Sequence, residues 1–236
     1  MNNLSFIRYL LLSVLLIAPF FNGLKDPVPL FIFETVVFVI FFIFAKFFTI
    51  KKTILDIPIL LFFIFILFSV STTLYLNSSM TVVLMLISFC LLFYLTISVY
   101  DEQFQKYICC GFVAVSFLIS VIIIIQYFTG ETPKATFPNP NLAAGYIACA
   151  ATLVFSLLVF NSGFLKSKLI YSALFLLFWV TIALTHSRGG LFSLLCGIGM
   201  VFFLKLKKWG IIIFAAGVLI IFVSLPKKAI TDITKI

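Results

Sequence analysis

Charge is scarce in this sequence. Of 236 residues, 10% are Asp, Glu, Lys or Arg, while 64% are hydrophobic. A water-soluble domain of that length needs a polar exterior, and so few polar residues cannot build one. Alternation is missing as well. The apolar runs are continuous over about twenty residues, long enough to cross a hydrocarbon core of roughly 30 Å as helices. Strands of a membrane barrel would alternate apolar and polar positions. Within lipid the backbone must satisfy its own hydrogen bonds, so the runs form helices. This holds even though Phe, Ile and Val are nominal strand formers. The chain reads as an all-α, polytopic membrane protein.

Paired metal spacing is also absent. The five cysteines, Cys90, Cys109, Cys110, Cys149 and Cys196, all fall inside apolar runs. They read as small buried residues, and no metal or cofactor is expected. The formal net charge of +9 does not point to nucleic acid. Its cations lie in short clusters between apolar runs, the pattern by which membrane proteins set their orientation.

What is present is a succession of spans. Nine are expected, over about 5–22, 28–48, 56–76, 80–99, 106–128, 141–161, 168–186, 189–204 and 209–225, the eighth being the shortest. They form one integral membrane domain over 1–236. The first run, with Arg8 as its basic region but followed by no small-x-small cleavage site, reads as an uncleaved helix. Asp56 with Pro58 reads as a helix start, Asn77-Ser78-Ser79 as a turn, and Asn161-Ser162-Gly163 as a helix stop.

A cytoplasmic N-terminus places ten cations inside: Arg8, Lys46, Lys51, Lys52, Lys106, Lys166, Lys168, Lys205, Lys207 and Lys208. It leaves six outside: Lys25, Lys134, Arg188, Lys227, Lys228 and Lys235. The positive-inside rule favours that arrangement. With nine spans the C-terminus is extracytoplasmic, and the last residues read as the beginning of an outer segment.

Polar residues with chemical potential gather on the outer side. Glu34 stands about two turns inside the second span, where an unpaired carboxylate is costly. Snorkelling or a structural ion pair would account for it without a function. The outer loop 129–141 contains PNPN, with Asn139 and Asn141 flanking Pro140, and Pro133 and Pro138 stiffening the approach. One asparagine suffices as a helix cap, and a second amide is free to bind a sugar hydroxyl or a phosphate. Ala144 and Ala148 then allow close helix approach.

The outer turn 185–190, THSRGG, holds the single histidine and one of two arginines. Arg188 opens the eighth span, where free N–H groups and a guanidinium together favour an oxyanion, above all a phosphate. Ser187 and Gly189 belong to that same candidate site. The glycines let a ligand approach the backbone, and Gly189, Ser193 and Gly197 share a face suited to helix packing. His186 is a candidate base or proton carrier, or simply an interfacial residue.

A PNPN loop opening one helix, then a span, a basic inner loop, a further span and SRG opening the next helix resembles the O-antigen ligase family. That family includes O-antigen ligases and Wzy-type polysaccharide polymerases. The resemblance covers roughly the second half of the chain by motif and all of it by hydropathy. It implies a multi-pass protein of the bacterial cytoplasmic membrane. The implied activity moves a glycan from an undecaprenyl-diphosphate carrier to a glycan, lipid or protein acceptor, without metal or nucleotide. By the same resemblance Arg188 would hold the diphosphate, with Asn139 and Asn141 shaping the same pocket or orienting its helix. Glu34 is carried over by no motif. Family members usually continue into a large outer loop bearing a further arginine and a histidine. This chain stops before that loop, so a missing C-terminal part is an expected partner. His186 lies in the SRG segment and does not replace the loop histidine. A transporter or flippase for a lipid-linked sugar or another anion, and an inactive scaffold, are the competing readings.

Overall fold

The structure is a computed structural model and describes residues 3–45, 51–160 and 165–206. Among the described residues it contains eight α-helices and no strand. They are α1 (Asn3–Ile17), α2 (Pro27–Phe44), α3 (Asp56–Ser71), α4 (Leu76–Val99), α5 (Glu102–Phe128), α6 (Pro140–Phe160), α7 (Leu165–Leu184) and α8 (Arg188–Leu206). Six of them, α2 and α4 to α8, are long and apolar enough to cross a membrane. The helical class therefore stands, and the protein is a multi-pass membrane protein. The ninth expected span and the Asn161-Ser162-Gly163 stop lie outside the described residues.

Several boundaries differ from the sequence reading, each for a local reason. The first helix ends at Ile17, because Pro19 removes an N–H and residues 22 to 24 all turn left-handed (φ 51°, 60° and 62°). Asn77, Ser78 and Ser79 do not form a turn but lie in the first turn of α4. There the Ser79 hydroxyl and the Tyr75 N–H both donate to Thr73 Oγ1, at 3.1 and 3.2 Å. Asp56 does not cap α3 in the usual direction either. Its carboxylate reaches back, accepting from the Thr53 N–H at 3.0 Å and the Thr53 hydroxyl at 2.6 Å. The α8 helix has 19 residues and is longer than α1, α2 and α3, so it is not the shortest.

The chain divides into two compact units, residues 1–111 and 112–236. In the first, Ile7, Leu11 and Val14 of α1, Phe33, Val37 and Ile40 of α2, Leu92, Leu95 and Val99 of α4, and Phe104 of α5 form one cluster. Arg8 closes it. The guanidinium pairs with Asp101 at 2.7 Å and donates from Nε to the Val99 carbonyl at 3.1 Å. Asp101 also accepts from the Phe104 N–H at 2.7 Å and so caps α5. By contrast α3 has no buried residue. The Tyr94 hydroxyl of α4 donates to Asp56 at 2.8 Å and ties α3 to the unit.

In the second unit α6 packs against both α7 and α8. Its buried face is made of small residues, Ala143, Ala144, Ala148, Ala150 and Ala151, with Ile147 and Val154. Lipid offers apolar helices no hydrophobic reason to associate, so close backbone approach must supply the attraction. Ala144 and Ala148 act as the sequence suggests. Of the matching residues on α8, Gly197 does and Gly189 and Ser193 do not. Gly190, not Gly189, faces α6: a Cβ added there would overlap Ala144. A Cβ at Gly197 would lie 2.8 Å from Thr152 Cγ2, whereas at Gly189 the space is open. Ser193 is exposed, and its hydroxyl bonds the Gly189 carbonyl at 2.8 Å. The packed face of α8 is thus Gly190, Leu194, Gly197 and Val201, sharing only Gly197 with the expected one.

None of the five cysteines is buried; Cys110 and Cys149 are exposed and the others half-buried. The sequence reading placed them inside because they are apolar. In a membrane the outside is apolar too, so composition alone cannot assign a side.

Candidate functional site

Three pairings fix the direction of α8 against α6. Gly190 meets Ala144, Gly197 meets Thr152, and the Lys205 ammonium donates to the Val159 carbonyl. Residue numbers rise together along both helices, so α6 and α8 are parallel and α7 returns between them. The PNPN loop and the SRG turn therefore open at the same end of this unit. The α5 helix finishes there as well, with the Tyr127 ring 6.4 Å from the His186 ring.

The loop after α5 is built in stages. Gly130, at φ 77°, ends the helix: its N–H bonds the Tyr127 carbonyl at 3.3 Å and the Glu131 N–H bonds the Gln126 carbonyl at 2.9 Å. This double bond is the Schellman closure. The Gln126 side chain then grips the loop. Its Oε1 accepts from the N–H groups of Lys134 at 3.1 Å and Ala135 at 2.7 Å, and its Nε2 donates to the Ala135 carbonyl at 3.3 Å. Phe137 turns inward and its ring meets Tyr146 at 5.4 Å. The chain then reaches Asn139, whose Oδ1 accepts from the Leu142 N–H at 2.9 Å, with Pro140 at the first helical position. Asn139 is the cap of α6. Asn141 is exposed and makes no hydrogen bond among the described residues.

The second loop is shorter. Thr185 is buried; its hydroxyl donates to the Ile182 carbonyl at 2.6 Å and accepts from the Ser187 N–H at 3.3 Å. His186 is left-handed (φ 54°), and its N–H bonds the Ala183 carbonyl at 3.0 Å. It occupies the place that glycine usually takes after a helix, and histidine is among the few other residues that tolerate it. Ser187 is 2% exposed, and its hydroxyl accepts from the Gly190 N–H at 3.0 Å. Ser187 is thus the cap of α8: its oxygen accepts within the helix, while its O–H remains a donor.

What remains available is specific. The N–H groups of Arg188 and Gly189 occupy the first two positions of α8, where no intrahelical acceptor exists. The Arg188 side chain is exposed and makes no hydrogen bond or ion pair among the described residues. Open space over Gly189 lets an oxyanion reach the backbone. Together these groups can hold a phosphate-type oxyanion. The other end of this unit carries Lys166, Lys168 and Lys205 among the described residues.

Sequence reasoning missed Gln126, although a lone amide near the end of an apolar helix was the available signal. It also missed the Arg8–Asp101 pair, whose members lie 93 residues apart. Glu34 belongs to the first unit, is 7% exposed, and has an oxygen without a partner among the described residues. No protein-family model, curated protein or solved structure matches this chain.

Proposed function

We propose that this protein transfers or polymerises a glycan from an undecaprenyl-diphosphate carrier at the outer face of the bacterial cytoplasmic membrane, as in the O-antigen ligase family. The observation that carries the reading is the parallel setting of α6 and α8. It brings the PNPN cap and the exposed, unpaired Arg188 to one end of one unit. In the reaction the diphosphate is the leaving group. Arg188 and the first N–H groups of α8 would neutralise the charge that develops on it. Asn141 is the amide free to meet sugar hydroxyls, since Asn139 is spent on its helix. The cation distribution supports an outward placement of this end. The acceptor base is not among the assigned residues: His186 has a backbone role that accounts for it.

The test is the pool of undecaprenyl-linked glycan in a strain deleted for the gene. The pool should rise on deletion and fall when the 236 residues are restored, but not when they carry Arg188→Ala. A rise that restoration cannot reverse would mean that activity needs a further part. No rise would reject the reading. The second reading, a transporter for a lipid-linked sugar or another anion, is favoured by Glu34, a buried polar group within a span. It predicts uptake of labelled lipid-linked sugar across vesicles, lost in Glu34→Gln.

A further inference from the structure

The buried residues of α2 are Leu30, Phe33, Glu34, Val37 and Ile40, a single stripe at helical spacing. The stripe faces α4, where Phe33 meets Phe89 with ring centroids 5.9 Å apart. Glu34 therefore stands inside a packed helix contact and not on the lipid surface. It lies seven residues past the start of α2, about 10 Å along the helix axis.

Two ordinary explanations of such a carboxylate fail here. A snorkelling side chain would be exposed at its tip, yet Glu34 is 7% exposed and Oε1 is sealed from solvent. A structural ion pair needs a cation, and no salt bridge reaches Glu34 among the described residues. The elements packed on α2 supply none. The α4 helix carries no Asp, Glu, Lys or Arg; its titratable groups are Cys90 and Tyr94, and Tyr94 gives its hydroxyl to Asp56. The turn Asn22–Leu24 has no titratable side chain. Beside it, Lys25 is exposed before α2 begins, and Asp26 accepts from Asn22 at 2.9 Å. On α1, which joins the same cluster, Arg8 is held by Asp101 and Val99, and Tyr9 stacks near Tyr107.

A bare carboxylate in this setting is unfavourable, and neutralisation is the usual resolution. A metal cation would require several oxygen ligands, and no group of three or more His, Cys, Asp or Glu stands together among the described residues. We propose that Glu34 is a proton-binding site inside the first unit, its carboxyl held as the neutral acid between α2 and α4. As an acid it presents an O–H donor and a C=O acceptor to any polar group that enters the stripe. The site is independent of the glycan-transfer reading and would persist if that reading failed.

Infrared spectroscopy of the whole chain in lipid vesicles tests it. At neutral pH the wild-type protein should show the carbonyl stretch of a protonated carboxylic acid, and Glu34→Gln should lack it. Raising the pH should remove the band as the site releases its proton. Absence of the band from the wild type at neutral pH would overturn the proposal. A second measurement needs no variant. A membrane-soluble carbodiimide adds the O–H of a neutral carboxyl across its C=N bond: a C–O bond forms and the proton passes to nitrogen. Mass spectrometry should find the adduct on the peptide containing Glu34, declining as pH rises, with little adduct from a water-soluble carbodiimide. Equal modification by the water-soluble reagent would show a carboxyl open to water and equally overturn the proposal.

Discussion

The chain has two arginines, and their surroundings are opposite. Arg8, in the first unit, is bound twice: by Asp101, which itself caps α5, and by the last carbonyl of α4. It joins the ends of three helices and has little left to offer a ligand. Arg188, in the second unit, stands at the start of α8 with its guanidinium exposed and unpaired among the described residues. At that end of the unit the fastening is done by neutral groups instead, the Ser187 and Asn139 caps, the Gln126 amide and the small-residue contact of α6 with α8. A charge used for assembly is paired; a charge left open where the scaffold is already complete is available for recognition.

That contrast can be broken experimentally. Its largest expected consequence concerns Arg188→Ala. Glycan transfer in membranes should fall about a hundredfold, the scale of losing one donor at a developing oxyanion, while insertion and thermal stability stay unchanged. Full transfer by this variant would remove Arg188 from the site. Next is Gly190→Ala, whose added methyl meets Ala144 and should destabilise the second unit by about 1–3 kcal/mol. Gly189→Ala, one residue earlier and facing open space, should leave the melting temperature nearly unchanged; equal loss in both would contradict the helix register. Arg8→Ala should lower thermal stability by about 1 kcal/mol, modest because Arg8 and Asp101 are 23% and 40% exposed. Transfer per folded molecule should persist. An effect of opposite sign is expected for His186→Gly. Relief of a left-handed non-glycine residue should raise stability by about 1 kcal/mol without loss of transfer. Lost transfer in a stably folded His186→Gly protein would give the histidine a chemical role.

The helical membrane class and six of the nine expected spans were legible because they depend on solvent, and long apolar runs report the solvent directly. Capping was legible in part. Asn139 before Pro140 announces a helix start, and the structure uses it so. Ser187 carries an equally good cap signal, but Arg188 beside it invited a ligand reading of the whole SRG group. The face of α8 was misread because its glycines permit two stripes, and only the partner helix decides which is buried. Helix ends were misplaced where polar residues continue a helix, as Asn77 to Ser79 do. Pairings across the chain were invisible: neither Arg8 with Asp101 nor Asp56 with Tyr94 leaves a local trace. Glu34 stood out at once as an anomaly, but only burial separates a headgroup-seeking carboxylate from a sealed one.

The parallel contact between α6 and α8 has a mechanical consequence. The meetings of Gly190 with Ala144 and Gly197 with Thr152 act as two pins through adjacent rails. With both pins in place the rails cannot slide, so the PNPN loop and the SRG turn are held at a fixed offset along the helix axes. A single methyl at position 190 would push one rail away from the other at its upper pin.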